Sequence, residues 1–261
     1  MSHSTPHPHS TSSPTGTGSP SRTWADGPLL GFDTETTGVS PTQDRLVTAA
    51  LVWRGPRLPD DTRAQKVRTW LADPGVEIPA AAAAVHGITT QRARAQGRPA
   101  AEVLEEVAGA LATAMAQGTP VVAFNAPFDL TLMEAELARH GLSTLRQRLG
   151  GQIAPVLDLL VLDRAVDRYR KGKRRLGDVC AVYGVQVDEA LHTAEVDVAA
   201  TLDVLEAMAR VHPRVAGTDL AALQGLQAEA HRAWAESLNQ WLTRRGRTPD
   251  ADPSWPLAST S

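Results

Sequence analysis

The sequence predicts an α/β fold, a five-stranded mixed sheet flanked by helices, with an extra C-terminal helix. Three observations predict it. Short apolar runs bounded by polar or turn residues recur along the chain and read as buried strands. Three of these runs come first, close together. After them, strands alternate with stretches whose apolar residues fall at helical spacing, the order expected of an α/β sandwich.

Leu29-Leu30-Gly31-Phe32-Asp33 is the first strand, and Leu46 to Trp53, rich in Val, Leu and Ala, is the second. Gln65 to Leu71 alternates polar and apolar residues, like a half-exposed third strand. The links between these three are too short for helical crossovers, so the strands should be antiparallel. Glu102 to Met115 places Val103, Leu104, Val107, Leu111 and Met115 at helical spacing, and Val121 to Phe124 is another buried strand. Leu130, Met133 and Leu137 line one face of a helix that stops near Gly141. Val156 to Val161 reads as a fifth strand or as the opening of a helix. Leu176 to Tyr183 and Ala194 to Met208 read as helices. Leu220 to Leu242 is a last amphipathic helix, and its apolar stripe is expected to pack on its own domain.

The chain's 261 residues, 42% hydrophobic, suffice for one sizeable core. Residues 1–22 are almost wholly Ser, Thr, Pro, Gly and His, which cannot bury an apolar face, and a disordered tail is expected there. Residues 246–261 carry Pro249, Pro253 and Pro256 and are also expected to be loose. The expected organisation is therefore a main domain over 23–212, a helical extension over 213–245 and two disordered tails. The single cysteine, Cys180, excludes a disulfide within the chain and a cysteine-based zinc centre, and fits a reducing, cytoplasmic setting. No apolar run approaches the ~18 residues of a membrane span, and the N-terminus lacks the apolar core of a secretory signal. A net charge of −3 argues against tight, sequence-independent binding to duplex nucleic acid. It is compatible with a carboxylate cluster that holds cations and, through them, phosphate.

Three motifs carry chemistry. In Phe32-Asp33-Thr34-Glu35-Thr36-Thr37-Gly38 the two carboxylates lie two apart at a strand end, so a period of two puts them on one face. Adjacent carboxylates repel, and hard divalent cations with oxygen ligands resolve the repulsion. In Ala123-Phe124-Asn125-Ala126-Pro127-Phe128-Asp129 a strand gives way to a helix with Pro127 in its first turn, and Asp129 stands near the helix N-terminus. Two of the three Phe residues flank this turn and the third, Phe32, precedes Asp33, which suits a site that stacks a base. In His192-Thr193-Ala194-Glu195-Val196-Asp197, Asp197 belongs to a helix while His192 precedes it on a loop, at the rim of the acids, where it suits a general base. Taken singly, each motif has a plain structural reading as a strand end or a helix cap.

With the three segments in this order, the chain resembles the DEDDh family of 3′–5′ exonucleases, most closely the proofreading epsilon subunit of bacterial DNA polymerase III and its stand-alone relatives, over roughly Leu29 to Arg210. The resemblance implies a ribonuclease-H-like fold. It makes Asp33, Glu35, Asp129 and Asp197 the metal-binding acids and His192 the catalytic histidine, in the His-x4-Asp spacing of the histidine variant. It also makes His86 and Gly87 substrate contacts, since Ala84-Val85-His86-Gly87-Ile88-Thr89 matches a family loop that lies over the terminal nucleotide, and Thr34, Asn125 and Phe128 beside the acids are expected to bind substrate too. The implied chemistry is phosphodiester hydrolysis with two Mg²⁺ or Mn²⁺ ions, releasing nucleoside 5′-monophosphates. The expected substrate is a nucleic-acid 3′ end, with single-stranded or frayed DNA favoured over RNA, in repair or proofreading. The alternatives are RNA trimming, as in oligoribonuclease and ribonuclease T, and a non-catalytic subunit that braces a polymerase. A DNA polymerase partner stays open, and no membrane partner is expected. The basic residues between Arg164 and Arg175 either guide a phosphate backbone or form a solvated loop and helix end.

Overall fold

In the computed structural model, which describes residues 23–186 and 193–259 together with Met1, the sheet is built around β1 (Leu29–Thr36). β2 (Leu46–Arg54) pairs antiparallel with β1, and β3 (Gln65–Asp73) pairs antiparallel with β2, as the short links predict. A two-residue strand, β4 (Arg98–Pro99), adds parallel to β3. On the other side of β1, β5 (Val121–Ala123) and β6 (Val156–Asp158) follow in parallel. The order is β4-β3-β2-β1-β5-β6, six strands rather than the five expected. The extra one is too short and polar to leave an apolar run in the sequence. The segment that allowed two readings resolves into both: β6 passes directly into α6.

The helices are α1 (Ala80–His86), α2 (Thr90–Gln96), α3 (Ala100–Ala116), α4 (Ala126–Arg139), α5 (Leu145–Leu149), α6 (Leu159–Val166), α7 (Leu176–Tyr183), α8 (Ala194–Val211), α9 (Pro213–Gly217) and α10 (Leu220–Arg244). They cover the sheet on two faces. Leu30 and Phe32 of β1 share one core with Val103, Leu104, Val107 and Leu111 of α3 and with Leu130, Met133 and Leu137 of α4. Leu29 packs on the opposite face with Val198, Leu202 and Leu205 of α8. A Cβ at Gly31 would lie 2.4 Å from Val198 Cγ1 and 2.9 Å from Leu202 Cδ1. The glycine thus lets α8 approach β1 closely, which brings the first turn of α8 beside the end of β1. Farther along α8, Glu206 accepts from Arg54 (2.9 Å) and Arg63 (3.0 Å) and pairs with Arg57, while Arg54 also reaches Asp203 (2.6 Å). This largely buried network ties α8 to β2 and the loop after it.

The last helix packs on its own domain, as the stripe predicts. β6 is an edge strand, and α10 satisfies its free backbone groups: Val156 N–H donates to Gln224 Oε1 (2.9 Å), Asp158 N–H to Gln227 Oε1 (2.7 Å), and Gln227 Nε2 to the Val156 carbonyl (3.0 Å). The expectation of a loose tail over 246–261 is overturned for its described part. The Asn239 amide pairs with both backbone groups of Ala251 (2.8 and 3.0 Å), and Trp255 and Leu257 pack against the core beside α4. Side chains of α10 and buried apolar contacts supply what proline cannot supply through its own backbone.

Candidate metal centre and active site

Asp33 and Glu35 share the face of β1 that Gly31 turns toward α8, as the period of two predicted. Asp197 lies in the first turn of α8. One carboxylate oxygen from each of these three lies within 4.8 Å of the others. Asp129, in the first turn of α4, is buried beside them and accepts from the Thr34 N–H (3.0 Å) and hydroxyl (2.6 Å) through Oδ1. The helix α4 starts from Asn125, whose φ of 71° and ψ of 51° are left-handed, and Pro127 follows in the first turn.

The electrostatics follow from this crowding. Burial, then the charges of Asp129, Glu35 and Asp197, push the Asp33 carboxyl well above the usual range. Burial, then Asp197 and Asp129, push Glu35 up to about 7. Burial pushes Asp129 up to about 7 against the opposing bonds from Thr34. Such carboxylates ionise together only if positive charge enters among them. The donors are all oxygen, the preference of hard divalent cations. The cluster therefore fits a divalent metal ion.

His86 ends α1 and is buried, its Nδ1 accepting from the Ile88 N–H (3.1 Å), and burial lowers its pKa. Gly87 follows with a φ of 73°, a left-handed turn that favours glycine. Next to the acids, Glu35, Trp70, His86, Ile88, Arg92 and Glu195 line a cavity of about 210 Å³. Asn125 is exposed and Phe128 half-buried at the start of α4. His192 lies outside the described residues, immediately before Thr193 and α8.

The Thr34 N–H and hydroxyl, at the position expected to contact a nucleotide, both donate to Asp129 and so orient its carboxylate. One expectation needs correction. Phe32, expected among rings that stack a base, is 1% exposed and belongs to the core, because the residue before Asp33 must face the opposite side of the sheet. In the basic stretch, Arg170 and Arg174 pair with buried Asp163, and the Arg164 guanidinium lies 3.7 Å over the Trp234 ring. Those three cations serve internal packing, which supports the structural reading for them.

Sequence reasoning missed Asp158, Trp70, Arg92 and Trp255. Asp158 is fully buried between β6 and α6 and caps α6 through Leu160 and Val161 N–H. A carboxylate at the end of an apolar run was its one available signal. Trp70, Arg92 and Trp255 sit in stretches without a motif.

The sequence profile of the exonuclease family (RNase_T) matches residues 30–205. The chain is 35% identical over 204 residues to the DNA polymerase III subunit epsilon-like protein of Rhodobacter capsulatus, covering 77% of this chain and 26% of that one. It is 30% identical over 171 residues to the PolC-type DNA polymerase III of Streptococcus thermophilus, covering 65% of this chain and 10% of that one. The chain thus spans about a quarter or less of the length of these relatives. Among solved structures, exonuclease I of Methylocaldum szegediense is similar with a TM-score of 0.59 at 24% identity, over 72% of this chain and 42% of that one. E. coli exonuclease I in complex with a dA16 oligonucleotide is similar with a TM-score of 0.60 at 20% identity, over 79% of this chain and 44% of that one. At these identities the structural likeness is one of fold, the ribonuclease-H-like sheet and its helices. Matched across more than half its length, with three of its acids meeting at the end of β1, the chain belongs to the exonuclease family.

Proposed function

We propose that this chain is a metal-dependent 3′–5′ exonuclease that releases nucleoside 5′-monophosphates from single-stranded or frayed DNA ends. The observation that carries the reading is the meeting of the Asp33, Glu35 and Asp197 oxygens within 4.8 Å, with Asp129 beside them. Two Mg²⁺ or Mn²⁺ ions held there would lower the pKa of water and offset charge on the phosphodiester. Asp33, Glu35 and Asp197 would hold one ion, and Asp33 with Asp129 the other. Thr34 fixes the Asp129 carboxylate by its two bonds. His192 accepts the proton of the attacking water. The cavity between His86 and Glu35 receives the terminal nucleoside, with Gly87 at its margin and Asn125 and Phe128 at the start of α4.

DNA as substrate is supported by the polymerase III relatives and by the oligonucleotide bound to E. coli exonuclease I. The same relatives support a role in proofreading or repair beside a DNA polymerase. Among the described residues, no helix is long and apolar enough to cross a membrane, which is compatible with the proposed cytoplasmic setting. The test is release of mononucleotides from 3′-labelled and 5′-labelled DNA, single-stranded and mismatched, beside matched RNA, with and without Mg²⁺ or Mn²⁺. Asp33→Ala is expected to abolish release while the protein stays folded, and His192→Ala to lower turnover strongly with metal binding retained. Normal activity in purified Asp33→Ala would overturn the site, release from the 5′ end would overturn the polarity, and faster release from RNA would replace DNA as substrate.

A further inference from the structure

Asp158 does more than cap α6. Its Oδ1 also accepts from the Asn125 N–H (3.1 Å), and its Oδ2 accepts from the Ala126 N–H (3.0 Å). These amides belong to the left-handed residue before α4 and to the first residue of that helix, three residues before Asp129. A non-glycine residue at positive φ persists where its surroundings over-determine it, and here one fully buried carboxylate grips the turn twice. A further bond to Asp158 comes from outside the matched exonuclease segment: the Trp255 indole N–H donates to Oδ2 (3.2 Å). The same C-terminal segment takes hold of α4 again, where the Ala258 N–H donates to Thr131 Oγ1 (2.8 Å), two residues beyond Asp129. The segment is itself anchored on α10 by Asn239, and by His231, whose Nε2 lies 3.0 Å from the Asp252 carbonyl.

We propose that Asp158 and Trp255 are positioning residues for Asp129, and that the strap formed by residues 251–259 sets the placement of that carboxylate against Asp33. The proposal rests on the exonuclease reading of the acid cluster. Asp129 is then held from two directions. Thr34 fixes its carboxylate from β1, while Asp158 and Thr131 fix the backbone that carries it. A strap that merely covered apolar surface would need Trp255 and Leu257 but not the indole bond.

The experiment uses the full chain with Trp255→Phe, which keeps a ring and removes the indole N–H, and Asp158→Asn. It measures kcat and KM on an end-labelled single-stranded oligonucleotide, Mn²⁺ binding by electron paramagnetic resonance, and thermal melting. Because small displacements of a catalytic group cost up to about 100-fold, Trp255→Phe is expected to lower kcat roughly tenfold. The Mn²⁺ concentration at half-saturation should rise severalfold in both readouts, with KM within about twofold and the protein folded at the assay temperature. A purely structural role would lower melting without moving Mn²⁺ half-saturation, and that result in folded Trp255→Phe would overturn the proposal. If Asp158→Asn does not fold, Trp255→Phe decides alone. If the unaltered chain binds Mn²⁺ yet releases no nucleotide, the exonuclease reading falls, and the resonance comparison still decides the positioning.

Discussion

Glu35→Gln is expected to stabilise the metal-free protein at pH 8 while abolishing hydrolysis. The three carboxylate oxygens lie within 4.8 Å, where two unit charges repel by about 3.5 kcal/mol at an effective dielectric of about 20. The displacement of the Glu35 carboxyl, in which burial acts first and repulsion second, sets the size of the whole effect. Moving Glu35 from 4.5 to about 7, through burial first and the charges of Asp197 and Asp129 next, corresponds to about 3 kcal/mol. Partial exposure screens this to roughly 2 kcal/mol. The sign follows from linkage: between pH 4.5 and about 7 the folded protein keeps a proton that the unfolded chain has lost, so stability falls as pH rises through that window. Below the window Glu35 is neutral in both states, and above it the whole penalty is present. Urea unfolding in EDTA, followed by tryptophan fluorescence, should therefore show Glu35→Gln about 2 kcal/mol more stable than the unaltered protein at pH 8. Most of that gain should vanish at pH 5. Added Mn²⁺ should stabilise the unaltered protein more than the variant, because the cation binds only the folded cluster. No gain at pH 8, or an equal gain at both pH values, would refute the view that these acids repel one another and call for a cation.

Thr34→Val removes the 2.6 Å bond from a hydroxyl to Asp129; turnover should fall roughly tenfold, the size of a lost bond to a charged group. Asp129, pushed up to about 7 in the metal-free protein, should titrate higher still without the hydroxyl, so in EDTA the fall of stability with rising pH should extend to higher pH; an unchanged pH dependence of unfolding would count against the role assigned to Thr34. Glu206→Ala leaves Arg54 and Arg63 almost buried without their shared carboxylate, which should cost about 3–5 kcal/mol; thermal denaturation reads this directly. Gly31→Ala drives a methyl group into Val198 and Leu202, at about 1–3 kcal/mol. It should also lower activity, because α8 carries Asp197, and full activity in that variant would show that the helix does not set the acid's position.

Much of the site was legible because its spacing is local. The period of two along β1 puts Asp33 and Glu35 on one face whatever surrounds the strand, and Pro127 marks the start of α4 by its fixed φ and missing N–H. The antiparallel start of the sheet followed from link length alone. Less legible was anything that depends on partners distant in the chain. Phe32 alternates away from the acids it adjoins, and Thr34 spends its donors on a residue 95 positions away.

By itself, the sequence determined which residues carry carboxylates, which strands and helices present them, and the family to which the pattern belongs. Only the tertiary structure decided that a proline-rich terminus would pack as a strap and that Asp158 would gather amides from two helices and an indole. The physical reason is that backbone periodicity is written in neighbouring residues. The pairing of a buried polar group depends on whichever donors the finished fold brings within about 3 Å.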